Sequence, residues 1–340
     1  MPTSREIVLR RRPEGAPMPE DFALVERPLD APAPGEVCIR TLWLSLDPYM
    51  RGRMRDVRSY APPIPLGGVI TGEVLGVVEE TTVTERPVGS FVRAHAGWRT
   101  GAVLPAEATH PVDPSLAPLS TFLGVLGMPG LTAYAALCEL GRPRAGETLA
   151  VAAATGPVGS LVGQLAKRLG LRTVAIVGGE NKQQLARETF GFDAAVDHRS
   201  PGFAADLEAA CPDGIDVYVE LVVGHVLDAV LPLLNQGARI PLVGTIAHYN
   251  ATDRAAGPDR LPDFLRQVLV KRLQVTGMIV TDFEHLRERF VDEVAPLVSA
   301  GTIRYLEDRV EGLEAAPAAF VRLLEGGNVG KALVRVAADA

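Results

Sequence analysis

The sequence predicts an α/β protein built as a mostly-β domain interrupted by a doubly wound parallel-sheet domain. Three observations carry this reading. Residues 1–124 hold strand-like runs cut by Pro and Gly, with little helical periodicity. From about Phe122, apolar runs of strand length alternate with helix-length amphipathic ones, as a parallel sheet covered on both faces requires. Residues 301–340 return to mixed texture, so they are expected to rejoin residues 1–124 around an insert at 125–300.

In the first domain, Glu36–Leu46, Gly72–Glu79 and Ser90–Ala94 read as strands, and Pro62–Gly68 as loop, because its prolines cannot donate to a central ladder. Arg5, Arg10, Arg11 and Arg12 form a basic cluster broken by apolar residues and closed by Pro13 and Glu14, the pattern of a solvated strand edge. The insert opens with a helix over Leu131–Gly141, stopped by Gly141 and Pro143. Strands at Leu149–Ala153, Thr173–Val177, Ala194–Asp197, Val217–Leu221 and Ala238–Val243 then alternate with helices at Ser160–Leu169, Lys182–Phe190, Phe203–Ala210 and Val226–Leu234. Helices at Pro262–Leu269 and Glu284–Ala300 flank a strand at Leu273–Val280. A strand near Arg304, a helix over Ala315–Leu324 and a strand over Ala332–Val336 close the chain.

Composition narrows the function classes. With 340 residues, 47% hydrophobic and 22% charged, the chain is globular and long enough for two cores. A net charge of −7 argues against a nucleic-acid partner, which needs a basic face. Cys38, Cys138 and Cys211 lie far apart without a CxxC or Cys/His cluster, so no disulfide framework, structural zinc or other metal site is indicated. No apolar signal core or bilayer-length run is present, and a cytoplasmic location is expected.

The strongest local signal is Leu149–Lys167, LAVAAATGPVGSLVGQLAK. An apolar strand runs into a turn with Gly156 and Gly159 and then into a helix, and a second strand completes a βαβ unit. Such a turn points backbone N–H groups at a phosphate on the positive end of the helix. The turn residues Ala154, Thr155, Gly156, Pro157, Val158 and Gly159 are therefore expected to bind a dinucleotide, with Ala154 in place of the first glycine of the usual GxGxxG pattern. NAD-preferring sheets carry an acid at the end of the second strand. Here that strand ends in Gly178-Gly179, with Glu180, Asn181 and Lys182 beyond, which suits a 2′-phosphate; a solvated helix-start lysine is the competing reading. Tyr249, in GTIAHYN beyond the fifth strand, sits where doubly wound folds bind ligands. Its phenol can donate to an oxygen that gains charge during reaction; a packed loop tyrosine is the alternative, with His248 a competing donor.

These residues, with LSLDPYMRGRM (Leu44–Met54), GMPGLTAY (Gly127–Tyr134), GFDAAVD (Gly191–Asp197) and NVGK (Asn328–Lys331), resemble the zinc-free medium-chain dehydrogenase/reductases. The likeness is to the branch of prostaglandin reductases, plant alkenal double-bond reductases and bacterial curcumin reductases. It implies a GroES-like catalytic domain with an inserted Rossmann domain, NADPH as cofactor, a homodimer, and reduction of a double bond conjugated to a carbonyl in a small molecule. By the same resemblance Tyr249 assists catalysis, and Tyr49, Arg51, Met128 and Ile279 border the substrate pocket, whose size depends also on Trp98. Lys182 pairs with the 2′-phosphate, His198 replaces a family tyrosine beside it with Arg199 next door, and Gly179, Thr132, Val223, Ile279 and Asn328 lie along the cofactor.

Two departures stand out. The family's D/E-N-V-G-G stretch reads Glu220-Leu221-Val222-Val223-Gly224, exchanging a polar side chain and adding bulk beside the cofactor. Where zinc-dependent relatives carry Gly-His-Glu, this chain has Gly67-Gly68-Val69. Without a Lewis acid, alkoxide stabilisation is lost, while reduction of an activated alkene remains feasible. A quinone reductase of the same superfamily, or a cofactor-binding protein with little catalysis, are the alternative readings.

Overall fold

The computed structural model describes residues 2–252 and 259–339. The chain divides into two compact units, Met1–Gly124 with Glu307–Ala340, and Val125–Leu306.

The first unit begins with β1 (Thr3–Leu9), β2 (Phe22–Pro28), β3 (Glu36–Ser45), helix α1 (Tyr49–Arg53), β4 (Val74–Thr81), β5 (Phe91–Ala94), β6 (Gly101–Pro105) and β7 (Thr109–Val112). The second unit follows with α2 (Met128–Ala135), β8 (Thr148–Ala152), α3 (Pro157–Arg168), β9 (Arg172–Val177), α4 (Glu180–Glu188), β10 (Ala194–Asp197) and α5 (Phe203–Ala210). It continues through β11 (Ile215–Val219), α6 (His225–Val230), β12 (Leu234–Leu242), α7 (Leu261–Lys271), β13 (Gln274–Gly277) and α8 (Arg287–Ser299). The chain then returns to the first unit with β14 (Glu307–Glu311), α9 (Ala316–Leu324) and β15 (Lys331–Arg335).

In the first unit β1 and β2 form an antiparallel pair, and a seven-stranded sheet runs β14-β15-β3-β4-β5-β7 with β6 also on β3. Arg5 lies inside β1, whereas Arg10–Arg12 follow it. Trp98 is fully buried in this core, stacked on Phe22 at 5.8 Å and edge-on to Phe320 at 5.6 Å, so its ring serves packing.

The second unit holds a six-stranded parallel sheet in the order β10-β9-β8-β11-β12-β13. Every residue of β8 is buried, because helices cover both faces and the strand must be apolar throughout. Strand order reverses between β8 and β11, the switch point outside whose carboxyl ends such sheets bind ligands.

Three local expectations need correction. The strand placed near Arg304 starts at Glu307; the Arg304 N–H donates to Gln164 Oε1 and its carbonyl accepts from Gln164 Nε2, at 2.7 and 2.9 Å, so a side chain of α3 replaces a ladder. The helix drawn over Leu131–Gly141 starts at Met128 and widens into a π-type turn over Ala136–Gly141, ending on Arg142 at φ 41°. The helix drawn from Glu284 is a 3-10 segment, Val280–Leu286, before α8 begins.

Candidate cofactor and active site

The site is built at the carboxyl ends of the second unit's strands. After β8 the chain turns through Ala153, in left-handed backbone at φ 49°, and enters α3 with Gly156 as N-cap and Pro157 in the first turn. Proline suits that position, where an N–H has no helical acceptor. A side chain on Gly159 would lie 2.7 Å from the Ala153 carbonyl oxygen and the Ala154 Cα, so only glycine lets the helix approach the turn this closely. Ala154 and Thr155 are buried beneath the turn, and Gly156, Pro157 and Val158 are half-exposed on it. Alanine at 154 costs no backbone strain, since the left-handed residue is Ala153. The exposed start of α3 offers orphan N–H groups and the positive end of a helix to an anion.

A second candidate corner for an anion lies beyond β9. Gly179 takes φ 92° as N-cap of α4, and the Lys182 and Gln183 N–H groups donate to its carbonyl. Lys182 is half-buried one turn into this helix. From the end of β10, His198 and Arg199 reach over Gly178: a Cβ there would meet Arg199 Nε at 2.9 Å and His198 Nε2 at 3.1 Å. An imidazole edge, a guanidinium and a helix start thus converge on two glycines. His198 is held below the usual histidine range by burial, with His225 and Arg199 adding to the effect and Asp197 opposing it.

The third element is the pair of loops after β11 and β12. Glu220 is buried, and its Oε1 accepts from the Val222 and Val223 N–H groups at 2.7 and 2.8 Å and from the Tyr218 hydroxyl at 3.2 Å. Burial raises the Glu220 carboxyl above the usual range, against the pull of these donors. They hold Val223 in left-handed backbone at φ 64°. The second loop is zipped to the first: Val243 and Gly244 donate to the Glu220 carbonyl, Ile246 to that of Leu221, and Ala247 to that of Val222. This places the Tyr249 hydroxyl 3.5 Å from where a Gly244 Cβ would sit. Tyr249 is half-buried, and among the described residues its hydroxyl has no hydrogen-bond partner. Ile279 follows β13, the next strand along the same edge, and is half-buried. On α2, Thr132 is buried and donates back to the Met128 carbonyl at 2.8 Å, while Met128 is half-exposed at the helix start.

Three expected site residues belong to the first unit. Tyr49 opens α1, and burial, with the Asp47 and Glu73 carboxylates, pushes its phenol well above the usual range, so it stays protonated. Arg51 is 1% exposed and donates to the Pro13 and Gly15 carbonyls at 3.2 and 2.7 Å, an anchor for α1 that keeps its charge away from solvent. Asn328 is half-buried and donates to the Gly330 carbonyl at 2.7 Å. Beneath this loop Lys331, fully buried, donates to Asp47 Oδ1 and the Leu46 carbonyl, both at 2.7 Å, and Ser45 donates to the other Asp47 oxygen. The DPYM motif therefore begins on a buried ion pair. Its partner lies in the NVGK stretch, a link that sequence spacing does not reveal.

Comparison with known proteins adds the family. A family model described as the N-terminal domain of oxidoreductase matches residues 5–112, and one described as zinc-binding dehydrogenase matches residues 157–296. The zinc of that second description has no matching donor set here, for no three His, Cys, Asp or Glu among the described residues are grouped to hold a metal. The chain is 47% identical to the NADPH-dependent curcumin reductase of Escherichia coli (strain K12), over 99% of this chain and 98% of that one. It is 36% identical to the 2-alkenal reductase (NADP(+)-dependent) of Nicotiana tabacum, over 99% and 98%. The crystal structure of CurA in complex with NADPH from Vibrio vulnificus superposes with a TM-score of 0.95 at 47% identity, covering 98% of this chain and 100% of that one. On this likeness over nearly the whole chain, the protein belongs to the medium-chain dehydrogenase/reductase family, in the zinc-free branch of curcumin, alkenal and prostaglandin reductases.

Proposed function

We propose that the chain is an NADPH-dependent reductase of the carbon–carbon double bond in α,β-unsaturated ketones and aldehydes. The observation that carries this is one sheet edge holding two glycine-flanked helix starts and a phenol without a hydrogen-bond partner among the described residues. The residues fit the cofactor. The turn before α3 has the close packing a pyrophosphate cradle needs, and the corner at Gly178-Gly179 offers cationic and N–H donors where a ribose-binding carboxylate is missing. Bound NADPH supplies the hydride that goes to the β-carbon.

The protein's own part is to hold the cofactor and stabilise the charge that moves onto the carbonyl oxygen. Tyr249 donates a hydrogen bond from its hydroxyl to that oxygen, and a proton from water then completes the α-carbon. Lys182, His198 and Arg199 select the 2′-phosphate. Tyr49, a neutral phenol at the start of α1, and Met128 and Ile279 border the substrate, while Arg51 supports that loop from below. The Ala154–Gly159 turn, Gly179, Thr132, Val223 and Asn328 line the cofactor.

The test is NADPH oxidation followed by absorbance against a panel of enones, enals, quinones and saturated aldehydes, repeated with NADH. Turnover of enones or enals with preference for NADPH supports the reading. Turnover of quinones alone, or tight NADPH binding without any turnover, overturns it. Tyr249→Phe should lower kcat by about 10²-fold and leave NADPH affinity unchanged, and an unaltered kcat removes Tyr249 from the mechanism.

The chain is further proposed to form a homodimer through the outer edge of the parallel sheet. All four residues of β13 are exposed, and Leu261, Leu265 and Leu269 form an exposed stripe at helical spacing along α7. An unprotected strand edge beside apolar side chains favours pairing with a second copy. A monomer in sedimentation at micromolar concentration would sink this. A cytoplasmic location is supported by three cysteines that remain free thiols, and none of the described helices is long and apolar enough to cross a membrane.

A further inference from the structure

One histidine beside the Gly178 corner has no task in the mechanism above. His225 opens α6, and its Nε2 lies 3.2 Å from the His198 carbonyl oxygen and 3.2 Å from His198 Nδ1. The two rings are 5.3 Å apart and tilted by 44°, and Phe203 meets His225 edge-on at 6.2 Å. A carbonyl oxygen only accepts, so the His225 Nε2 carries a hydrogen and is the donor in both contacts. His198 Nδ1 must then be the acceptor, and the single proton of neutral His198 sits on Nε2. That nitrogen is the one hanging over Gly178 beside Arg199 Nε.

We propose that His225 is a positioning residue for cofactor selectivity: it locks His198 in the Nε2–H tautomer, so that a neutral imidazole joins the Arg199 guanidinium in donating to the 2′-phosphate. The inference rests on the NADPH reading above. Geometry makes the lock necessary. Left alone, a neutral histidine can place its proton on either nitrogen, and the Nδ1–H form would present a lone pair to an anion. Burial, His225 and the Arg199 guanidinium all lower the His198 pKa, which favours the neutral form with a single N–H. Asp197, the carboxylate that opposes this shift, accepts from the Arg199 backbone N–H at 2.9 Å.

The test is equilibrium titration of NADPH and NADH, read by cofactor fluorescence, on the wild type, H225A, H225Q, H198A and the H198A/H225A double variant. H225A should weaken NADPH by roughly fivefold to tenfold, part of the contribution of a hydrogen bond to a charged group, and leave NADH unchanged. H225Q, whose amide N–H can still donate, should recover part of that loss. Because His225 acts through His198, adding H225A to H198A should change nothing further. Equal losses for both cofactors, or full additivity in the double variant, would overturn the inference. A wild type that prefers NADPH beside an H225A that binds NADPH as tightly as the wild type overturns the inference alone and leaves the NADPH reading standing. A wild type that binds both cofactors equally overturns the NADPH reading and the inference with it.

Discussion

Val223 places a β-branched residue in left-handed backbone, and the cost can be isolated experimentally. At φ 64° a Cβ crowds its own carbonyl, a penalty of about 1–2 kcal/mol that glycine avoids. Glycine in turn loses roughly 0.5–1 kcal/mol through the larger freedom of the unfolded chain. Comparing Val223→Gly with Val223→Ala removes the side chain in both cases and leaves only the backbone term. The glycine variant should be more stable by about 0.5–1 kcal/mol, the reverse of the order at an ordinary helix or strand position. For a unit of this size that is a difference of about 1–4 °C in Tm. Thermal unfolding by circular dichroism, without cofactor, reads it directly. An alanine variant more stable than the glycine variant by the same margin would refute the strain. The turn persists in the wild type because the Glu220 carboxylate accepts two successive backbone N–H groups within it.

Two further perturbations follow from buried charge. The Glu220 carboxyl titrates above its usual range in the folded chain, so its contribution to stability is complete below the ordinary glutamate pKa and is lost as pH rises through the raised value. Glu220→Gln should flatten that part of the pH profile, seen in urea midpoints from about pH 4 to pH 8; parallel curves for the two proteins would contradict the assignment. Asp47→Ala strands the buried Lys331 ammonium and should cost about 3–5 kcal/mol in urea unfolding, whereas a loss below about 1 kcal/mol would show that the pair is not desolvated as described.

The parallel sheet was legible because strands covered on both faces are apolar along their whole length, and short Gly-rich turns separate them. β10 and α5 fall on the residues read for them, Ala194–Asp197 and Phe203–Ala210. The hairpin of β1 and β2 escaped the reading, since β2 alternates into exposed charged residues and is defined by a partner rather than by its own pattern. β6 (GAVLP) and β7 (THPV) are short and each contains a proline, so neither shows a strand pattern of its own. The first turn of α3 is not legible in the sequence, because Pro157 reads as part of the turn where it opens the helix. At the site, glycine spacing announces a close backbone approach, and Gly159 displays it. Nothing in an alanine or a valine announces positive φ, so the strain at Ala153 and Val223 was invisible. His225 was equally hidden: it stands 27 residues from His198, and only the sheet brings α6 against the end of β10.

The loop zipper bears on whether the two departures in the fourth strand's motif weaken the site. Leu221 exchanges a polar side chain for an apolar one, yet its contribution to the edge is the carbonyl that accepts from Ile246. Val222 likewise acts through its carbonyl, and Glu220 through both its carbonyl and its side chain. The position of Tyr249 is therefore set by main-chain bonds that any residue at 221 can make. What the substitution at 223 changes is the energy of the turn, and Glu220 is the residue that offsets it. A site whose frame is main chain tolerates such exchanges without losing its geometry. The departures thus give little support to a protein that binds cofactor without turning it over, and they move attention to Glu220 and Tyr249, where a side chain is needed.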